Sequence, residues 1–333
     1  MNGMMKNNSA IGLDVGTSRL VAARQTDQSF QYDTQLNAFV RIPFSKITRD
    51  MLDKERVPHT VEASQAIVQG NESARFADLL NVEIGRPMAK GVLNVGEPES
   101  VNRIRELIAS LVGKAAEKGQ KLCFTVPAVA PGQEAALTYH EATLRQILTE
   151  LGYEVKSINE GLAVVYAEMA DSNYTGIGVS CGAGLCNVCL AYLSLPVMSF
   201  STSKAGDFID SSTAAVMGER SNRIRIIKET PHPNGSFTSK VHQVLGVYYN
   251  DTIQALVTGL KEAFMNARGL PRLGRPIPLV LCGGSTLPPG FRERFERILR
   301  ETEFPFSISE IRLASEPLNT TSRGALVAAL SDM

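Results

Sequence analysis

Residues 10–22, AIGLDVGTSRLVA, decide how the rest of this chain is read. Ile11, Leu13 and Val15 share one face of a short apolar strand, and Leu20 and Val21 resume the apolar run after a Gly-Thr-Ser turn. Gly16 permits a tight reversal, and the backbone N–H groups of Gly16 to Arg19 can converge on an anion. Asp14 stands just before the turn. A carboxylate repels a bare phosphate, so its useful role beside one is to hold a hydrated Mg²⁺. Taken alone, the stretch also reads as a plain β-hairpin.

The totals bound the answer. At 333 residues, two domains or one two-lobed body are expected. Lys plus Arg equals Asp plus Glu at 34 each, which excludes the basic excess of a nucleic-acid binder. No apolar run approaches a membrane span, and the polar start, MNGMMKNNSA, lacks the apolar core of a signal peptide. Met4 and Met5 in that start could begin a membrane-touching anchor, but with Asn7, Asn8 and Ser9 following, a disordered tail is the reading preferred. Five cysteines, an odd number, fit reduced thiols in a cytoplasm better than a disulfide framework.

Working outward, residues 31–42 read as a third strand and 46–57 as a charged, irregular segment. Residues 60–69 read as extended and 72–80 as a short helix. Residues 99–118 and 132–151 carry helical periodicity and flank a buried strand, 121–127, with another strand at 153–158. Strand, helix, strand points to a parallel crossover and an α/β layer fold. An apolar helix follows Asn159-Glu160, and then the opening layout restarts: strand, glycine turn at Gly182 and Gly184, strand. The inference is an internal duplication, one anion-gripping hairpin per lobe. Residues 207–217, 219–229 and 243–267 read as helices, 231–236 as a turn and 270–278 as a linker. A buried strand, 277–282, runs into Gly283-Gly284-Ser285, a charged helix follows at 292–302, and 322–330 closes the chain as a helix after a strand at 308–311.

Five stretches in this order resemble the actin-like ATPase superfamily of actins, sugar kinases and the heat-shock chaperone ATPase domain. LDVGTS (13–18) and VSCGAGLCNV (179–188) are similar to its two phosphate loops, NEGLAVVYAEM (159–169) and SRGALVAAL (322–330) to its connecting helices, and LVLCGGSTLPPGF (279–291) to its adenosine loop. Within the superfamily, IVQGNESARF (67–76), IGRPMAKGVL (84–93) and the segment 204–229 most resemble bacterial actins of the MreB type, although Asn222 stands where a Glu is usual.

The resemblance implies a two-lobed, ribonuclease H-like duplicated α/β fold with a nucleotide cleft between the lobes. The first lobe would span 1–170 with a small inserted unit at about 31–96 and the last helix, 322–333, returning to it; the second would span 171–321. ATP and Mg²⁺ are the implied cofactors. Asp14 would hold the metal through water, and Glu160 would orient the water that attacks the γ-phosphate. Read without the resemblance, Asp14 is a turn cap and Glu160 a helix N-terminal acid favoured by the macrodipole. Gly16, Thr17 and Ser18 would grip the β- and γ-phosphates together with Ser180, Gly182, Ala183 and Gly184. Ser180 departs from the family, whose second loop begins with Asp, so hydrolysis is expected to be slow or absent. Gly283, Gly284 and Ser285 would approach the ribose and α-phosphate, with Asp207, Asn222 and Arg225 as ribose or adenine contacts.

Cys181, Cys186 and Cys189 echo an iron–sulfur spacing, but Cys186 and Cys189 fall on opposite faces of one strand, which argues against a cluster. His59, His140, His232 and His242 form no metal or triad spacing. The implied function is a cytoplasmic cytoskeletal protein that self-assembles into filaments. The rivals are a non-polymerising ATP-binding adaptor for cell-shape, division or pilus proteins, and a small-molecule kinase, for which no carboxylate base is evident. Neither nucleic acid nor direct membrane contact is expected.

Overall fold

The computed structural model describes residues 10–26, 29–97, 99–129, 132–230, 239–267, 270–271, 274–304 and 307–331. The expected turn at 231–236, His232 and the tail with Met4 and Met5 lie outside them. The opening hairpin is β1 (Ile11–Val15) and β2 (Arg19–Gln25), extended by β3 (Phe30–Leu36). The inserted unit follows: β4 (Phe39–Pro43), α1 (Lys46–Lys54), β5 (His59–Glu62), β6 (Gln65–Gln69), α2 (Asn71–Leu80), β7 (Met88–Ala89) and β8 (Val92–Leu93). The first lobe continues through α3 (Ser100–Val112), β9 (Lys121–Val126), α4 (Glu134–Glu150), β10 (Glu154–Asn159) and α5 (Glu160–Glu168). The second lobe comprises β11 (Gly176–Cys181), β12 (Cys186–Tyr192), β13 (Leu195–Thr202), α6 (Gly206–Met217), α7 (Ser221–Glu229), α8 (Lys240–Asn266), β14 (Ile277–Cys282), α9 (Phe291–Arg300) and β15 (Ile308–Leu313). The chain ends on α10 (Thr320–Leu330).

Two five-stranded sheets carry these lobes, ordered β10-β9-β1-β2-β3 and β13-β12-β11-β14-β15. In each, an antiparallel hairpin is joined along its first strand by a parallel strand, β9 to β1 and β14 to β11. The two halves thus share one topology, which agrees with the duplication inferred from the glycine turns. α5 and α10 lie between the sheets. Their apolar side chains pack with residues of both sheets, so Ala163, Val164, Leu326 and Ala329 share one core with Ala23, Cys123, Ala191 and Val280. Small residues let these layers approach. A Cβ on Gly324 would fall 1.8 Å from the Ala163 carbonyl oxygen, so any larger residue there would push α10 off α5.

The inserted unit has its own core, in which α1 and α2 place Leu52, Phe76 and Ala77 against Val40, Ile42, Ala66 and Val68. Arg103 of α3, fully buried, anchors that unit by an ion pair to Glu62 and a hydrogen bond to Thr60, and pairs within its own helix with Glu106.

Three expectations need correction. The strand expected at 31–42 breaks into β3 and β4 because Asn37 turns inward, fully buried, to brace the first turn. Most of the segment 46–57 is helical, as α1: Ser45 caps it by accepting from the Thr48 N–H, and Leu52 alone of the residues of α1 is buried, so no apolar stripe announces it. The helix expected to reach 118 stops at Gly113, whose φ of 71° ends α3.

Candidate functional site: the cleft between the lobes

The opening turn is closed by the Gly16 N–H donating to the Arg19 carbonyl at 3.0 Å. Its counterpart in the second lobe is closed identically, by the Gly182 N–H donating to the Leu185 carbonyl at 3.0 Å. Each is braced from behind. Asn37 Nδ2 donates to the Gly16 carbonyl at 2.9 Å, while Ser285 Oγ and the Gly206 N–H donate to the Gly182 carbonyl at 3.0 and 3.1 Å. The turns face one another closely: a Cβ on Gly184 would meet Thr17 Oγ1 at 2.3 Å. Thr17 Oγ1 in turn accepts from the Gly91 N–H at 3.0 Å, tying the first turn to the inserted unit. Gly283 ends β14 at φ 93°, where its Cβ would strike the Cys181 carbonyl oxygen at 2.3 Å, so this position needs glycine on both counts.

Beneath the turns lies a pair of half-buried carboxylates, Asp14 and Glu160. Asp14 Oδ1 accepts from Thr125 Oγ1 at 2.6 Å and Oδ2 from Thr321 Oγ1 at 2.7 Å. These hydroxyls come from β9 and from the start of α10, so three separated segments fix one side chain. Glu160, first residue of α5, has its Oε2 held by Asn187 Nδ2 at 2.8 Å and Ser180 Oγ at 3.3 Å. Asn159 caps that helix by accepting from the N–H groups of Gly161 and Leu162. Burial, and then the charge of Asp14, push the Glu160 carboxyl up to about 8. Burial also raises Asp14, against the lowering by its two threonine donors. Two carboxylates in one half-buried site are short of positive charge.

The cavity above them measures about 520 Å³ and is lined from both lobes. Asp14, Gly16, Thr17, Ser18, Glu160, Ser180, Gly182, Ala183, Gly184, Arg225, Gly283, Gly284 and Ser285 all lie on its wall. So do residues that the sequence did not single out. Thr321 and Asn187 position the carboxylates. Lys228 pairs with Asp210 at 2.8 Å, both nearly buried, and Glu229 reaches Arg19 at 3.2 Å. Lys228 and Glu229 follow Arg225 by three and four positions on α7, so one helix face carries all three. Tyr249 also lines the cavity, and its buried hydroxyl has no hydrogen-bond partner among the described residues.

Asp207 and Asn222 sit elsewhere. Neither lines the cavity; Asp207 accepts from Arg86 Nη1 at 2.7 Å and Asn222 donates to Glu83 Oε2 at 3.2 Å, both across to the first lobe. The cysteines are all free and buried. Cys186 faces the outer core of the second lobe and Cys189 the core between the sheets. Among the described residues no group of three His, Cys, Asp or Glu side chains is placed to hold a metal ion, and no helix is long and apolar enough to cross a membrane.

The fold is that of actin-like ATPases. The chain superposes on a subunit of the MamK double helical filament with a TM-score of 0.71 and 19% identity, covering 97% of this chain and 98% of that one. A non-polymerising MamK mutant bound to AMPPNP matches over the same shares at 19% identity with a TM-score of 0.58. The ethanolamine utilization protein EutJ from Carboxydothermus hydrogenoformans matches at 16% identity and a TM-score of 0.54, over 96% of this chain and 89% of that one. No curated protein matches. The family model described as Volactin matches residues 9–329, nearly the whole chain. The chain is therefore a member of the Volactin family.

Proposed function

We propose that the cleft binds ATP with Mg²⁺, and that the chain is a cytoplasmic, actin-like cytoskeletal protein assembling head to tail in a nucleotide-dependent way. The observation that carries this reading is the pair of turns, closed by the same 3.0 Å bond, facing each other over two half-buried carboxylates. Turns of this kind present backbone N–H groups to phosphates. The unpartnered Tyr249 hydroxyl and the cationic Arg225 and Lys228 give the cavity's other end polar groups for a base and sugar.

The residues fit a hard divalent cation. Asp14, Glu160 and Ser180 offer oxygen ligands, and the upward push that the Asp14 charge gives Glu160 is what a cation would relieve. Bound there, Mg²⁺ would neutralise charge on the phosphates. Asp14 would hold it through water, kept in orientation by Thr125 and Thr321. Glu160 would place the attacking water, and Asn187 would fix Glu160. Ser180 contributes a hydroxyl without charge, which suits slow hydrolysis.

Two MamK states match over equal shares of the chain, yet the filament subunit superposes better, at 0.71 against 0.58. That difference supports a lobe arrangement like that of an assembled subunit. Head-to-tail contacts that do not close into a ring would give a filament.

The test is high-speed pelleting of purified protein with ATP, with ADP and without nucleotide, beside Asp14→Ala. Nucleotide-dependent pelleting that Asp14→Ala loses is the expected result. ATP binding without pelleting across salt and protein concentration favours instead the adaptor, a role to which the uncharged Ser180 also lends itself.

A further inference from the structure

The duplication that places the two turns also makes Ser180 the counterpart of Asp14. Asp14 stands two residues before Gly16 and Ser180 two residues before Gly182, each on the first strand of its hairpin. Both line the cavity, and Ser180 is buried. Where the first lobe presents a carboxylate to the cleft, the second presents a hydroxyl.

That hydroxyl is already engaged with a base. Ser180 Oγ donates to Glu160 Oε2 at 3.3 Å, and Asn187 Nδ2 donates to the same oxygen at 2.8 Å. Ser180 and Asn187 are directly opposite each other on β11 and β12, so their side chains leave one face of the hairpin together and converge on the start of α5. Asn187 is buried, and its amide oxygen accepts from the Ala128 N–H, which keeps the amide from turning. A hydroxyl, a base beside it and a third group that orients the base form the pattern by which hydroxyls are activated as nucleophiles. Such hydroxyl–base contacts are commonly a little long until substrate tightens them. Burial and the charge of Asp14 push the Glu160 carboxyl up to about 8, so it takes up a proton that an ordinary carboxylate would leave in water.

Other hydroxyls of the wall are placed differently. Ser285 Oγ donates to the Gly182 carbonyl, which is no base. Thr321 Oγ1 donates to Asp14, but it stands at the start of α10 and not beside a glycine turn, and Asp14 is shared with Thr125. Of these three, only Ser180 both leads into a turn and bonds to a base.

We propose that Ser180 accepts the terminal phosphoryl group of the nucleotide in the cleft, so that the chain phosphorylates itself at this hydroxyl. This rests on the cleft being the nucleotide site and deepens that reading. Ser180 Oγ attacks the γ-phosphorus as its proton passes to Glu160 Oε2. The new Oγ–P bond replaces the bond from the γ-phosphorus to the β–γ bridging oxygen, whose electron pair leaves with ADP. A hydroxyl fixed in the site competes well with a water that has first to be ordered there. The phosphoserine then fills the place of a terminal phosphate, so the modified chain has room for ADP and not for ATP.

The experiment incubates full-length protein with Mg²⁺ and ATP labelled in its γ-phosphate, then denatures it and reads covalent label, intact mass and the modified peptide. Equilibrium binding of a fluorescent, non-hydrolysable ATP analogue is measured beside it. The expected result is at most a single phosphoryl group per chain, mapped to Ser180, at a rate independent of protein concentration, as transfer within one chain requires. Ser180→Ala should lose the label while the analogue still binds, and Glu160→Gln should slow labelling about hundredfold. Analogue binding with no covalent label overturns the proposal and leaves the nucleotide reading standing. Label mapped to Thr321, or label that persists in Ser180→Ala, overturns the assignment to Ser180. A wild-type chain that binds no analogue overturns both.

Discussion

Asn187 joins Glu160 to the opposite lobe: its amide nitrogen donates to Glu160 Oε2 at 2.8 Å while its amide oxygen accepts from the Ala128 N–H, also at 2.8 Å. Ser201 Oγ donates to the Ala128 carbonyl at 3.0 Å, so one residue beyond β9 is gripped by the second lobe through both its N–H and its carbonyl. The orientation of Glu160 is thereby tied to how the lobes sit. Asn187→Leu keeps the approximate size and removes both bonds. Hydrolysis should fall about tenfold to hundredfold, because the cost of misplacing a water-orienting group is positional. Affinity for an ATP analogue should change far less. Equal losses in both quantities would mean that Asn187 supports the cleft as a whole and not Glu160 in particular.

Glu160 also makes stability depend on pH. Its carboxyl titrates near 8 in the folded chain, well above an ordinary carboxyl, because burial and the Asp14 charge disfavour ionisation. A carboxyl raised on folding contributes most below its unfolded pKa, and the contribution is lost as pH rises from about 4.5 to about 8. Without nucleotide and Mg²⁺, urea unfolding should show stability declining over that window by an amount on the order of a few kcal/mol. Glu160→Gln should flatten the decline. An equally steep decline in that variant would assign the dependence to another group.

The turns, the connecting helices and Asp14 and Glu160 were legible in the sequence because each is a local pattern: a glycine turn between apolar strands, or an acid at a helix start. What escaped was non-local or unpatterned. Thr125 and Thr321 lie 111 and 307 residues from Asp14, and no spacing links them to it. Asn187 reads as one more residue of an alternating strand. The resemblance points to Asp207 and Asn222 as ribose or adenine contacts, but their partners Arg86 and Glu83 belong to an inserted unit whose docking nothing in α6 or α7 encodes. Lys228 and Glu229 were within reach, since they share a helix face with Arg225.

His140 gives a prediction independent of function. Fully buried on α4, it has no hydrogen-bond partner at either ring nitrogen among the described residues, and burial lowers it to about 4. A histidine lowered on folding contributes stability above its unfolded value of 6.5 that is lost as pH falls toward 4. His140→Leu removes two unsatisfied polar atoms at similar volume. It should stabilise the chain by about 1–2 kcal/mol at pH 7 and by more at pH 5, measured by urea unfolding. A loss of stability at both pH values would mean that the ring nitrogens are satisfied.

The facing turns supply the most direct test of the cleft. Gly184 lies so near the first turn that a Cβ would meet Thr17 Oγ1 at 2.3 Å and the Gly91 N–H nitrogen at 2.8 Å. Gly184→Val must therefore push the second turn away from Thr17 or displace Gly91, and either movement separates the donors that would hold one polyphosphate. The change sits at the tip of the turn, so the outer cores of both lobes are left intact, and the cost to folding should stay near the 1–3 kcal/mol typical of overpacking. Binding of an ATP analogue should fall by more than tenfold, because a phosphate chain gripped from two sides loses one of them. Gly246, on α8 with nothing within 4 Å of a built Cβ, gives the matched control: Gly246→Ala should leave binding unchanged. Should Gly184→Val bind as the wild type does, the two turns are not acting together on one ligand, and the shared-cleft reading falls with them.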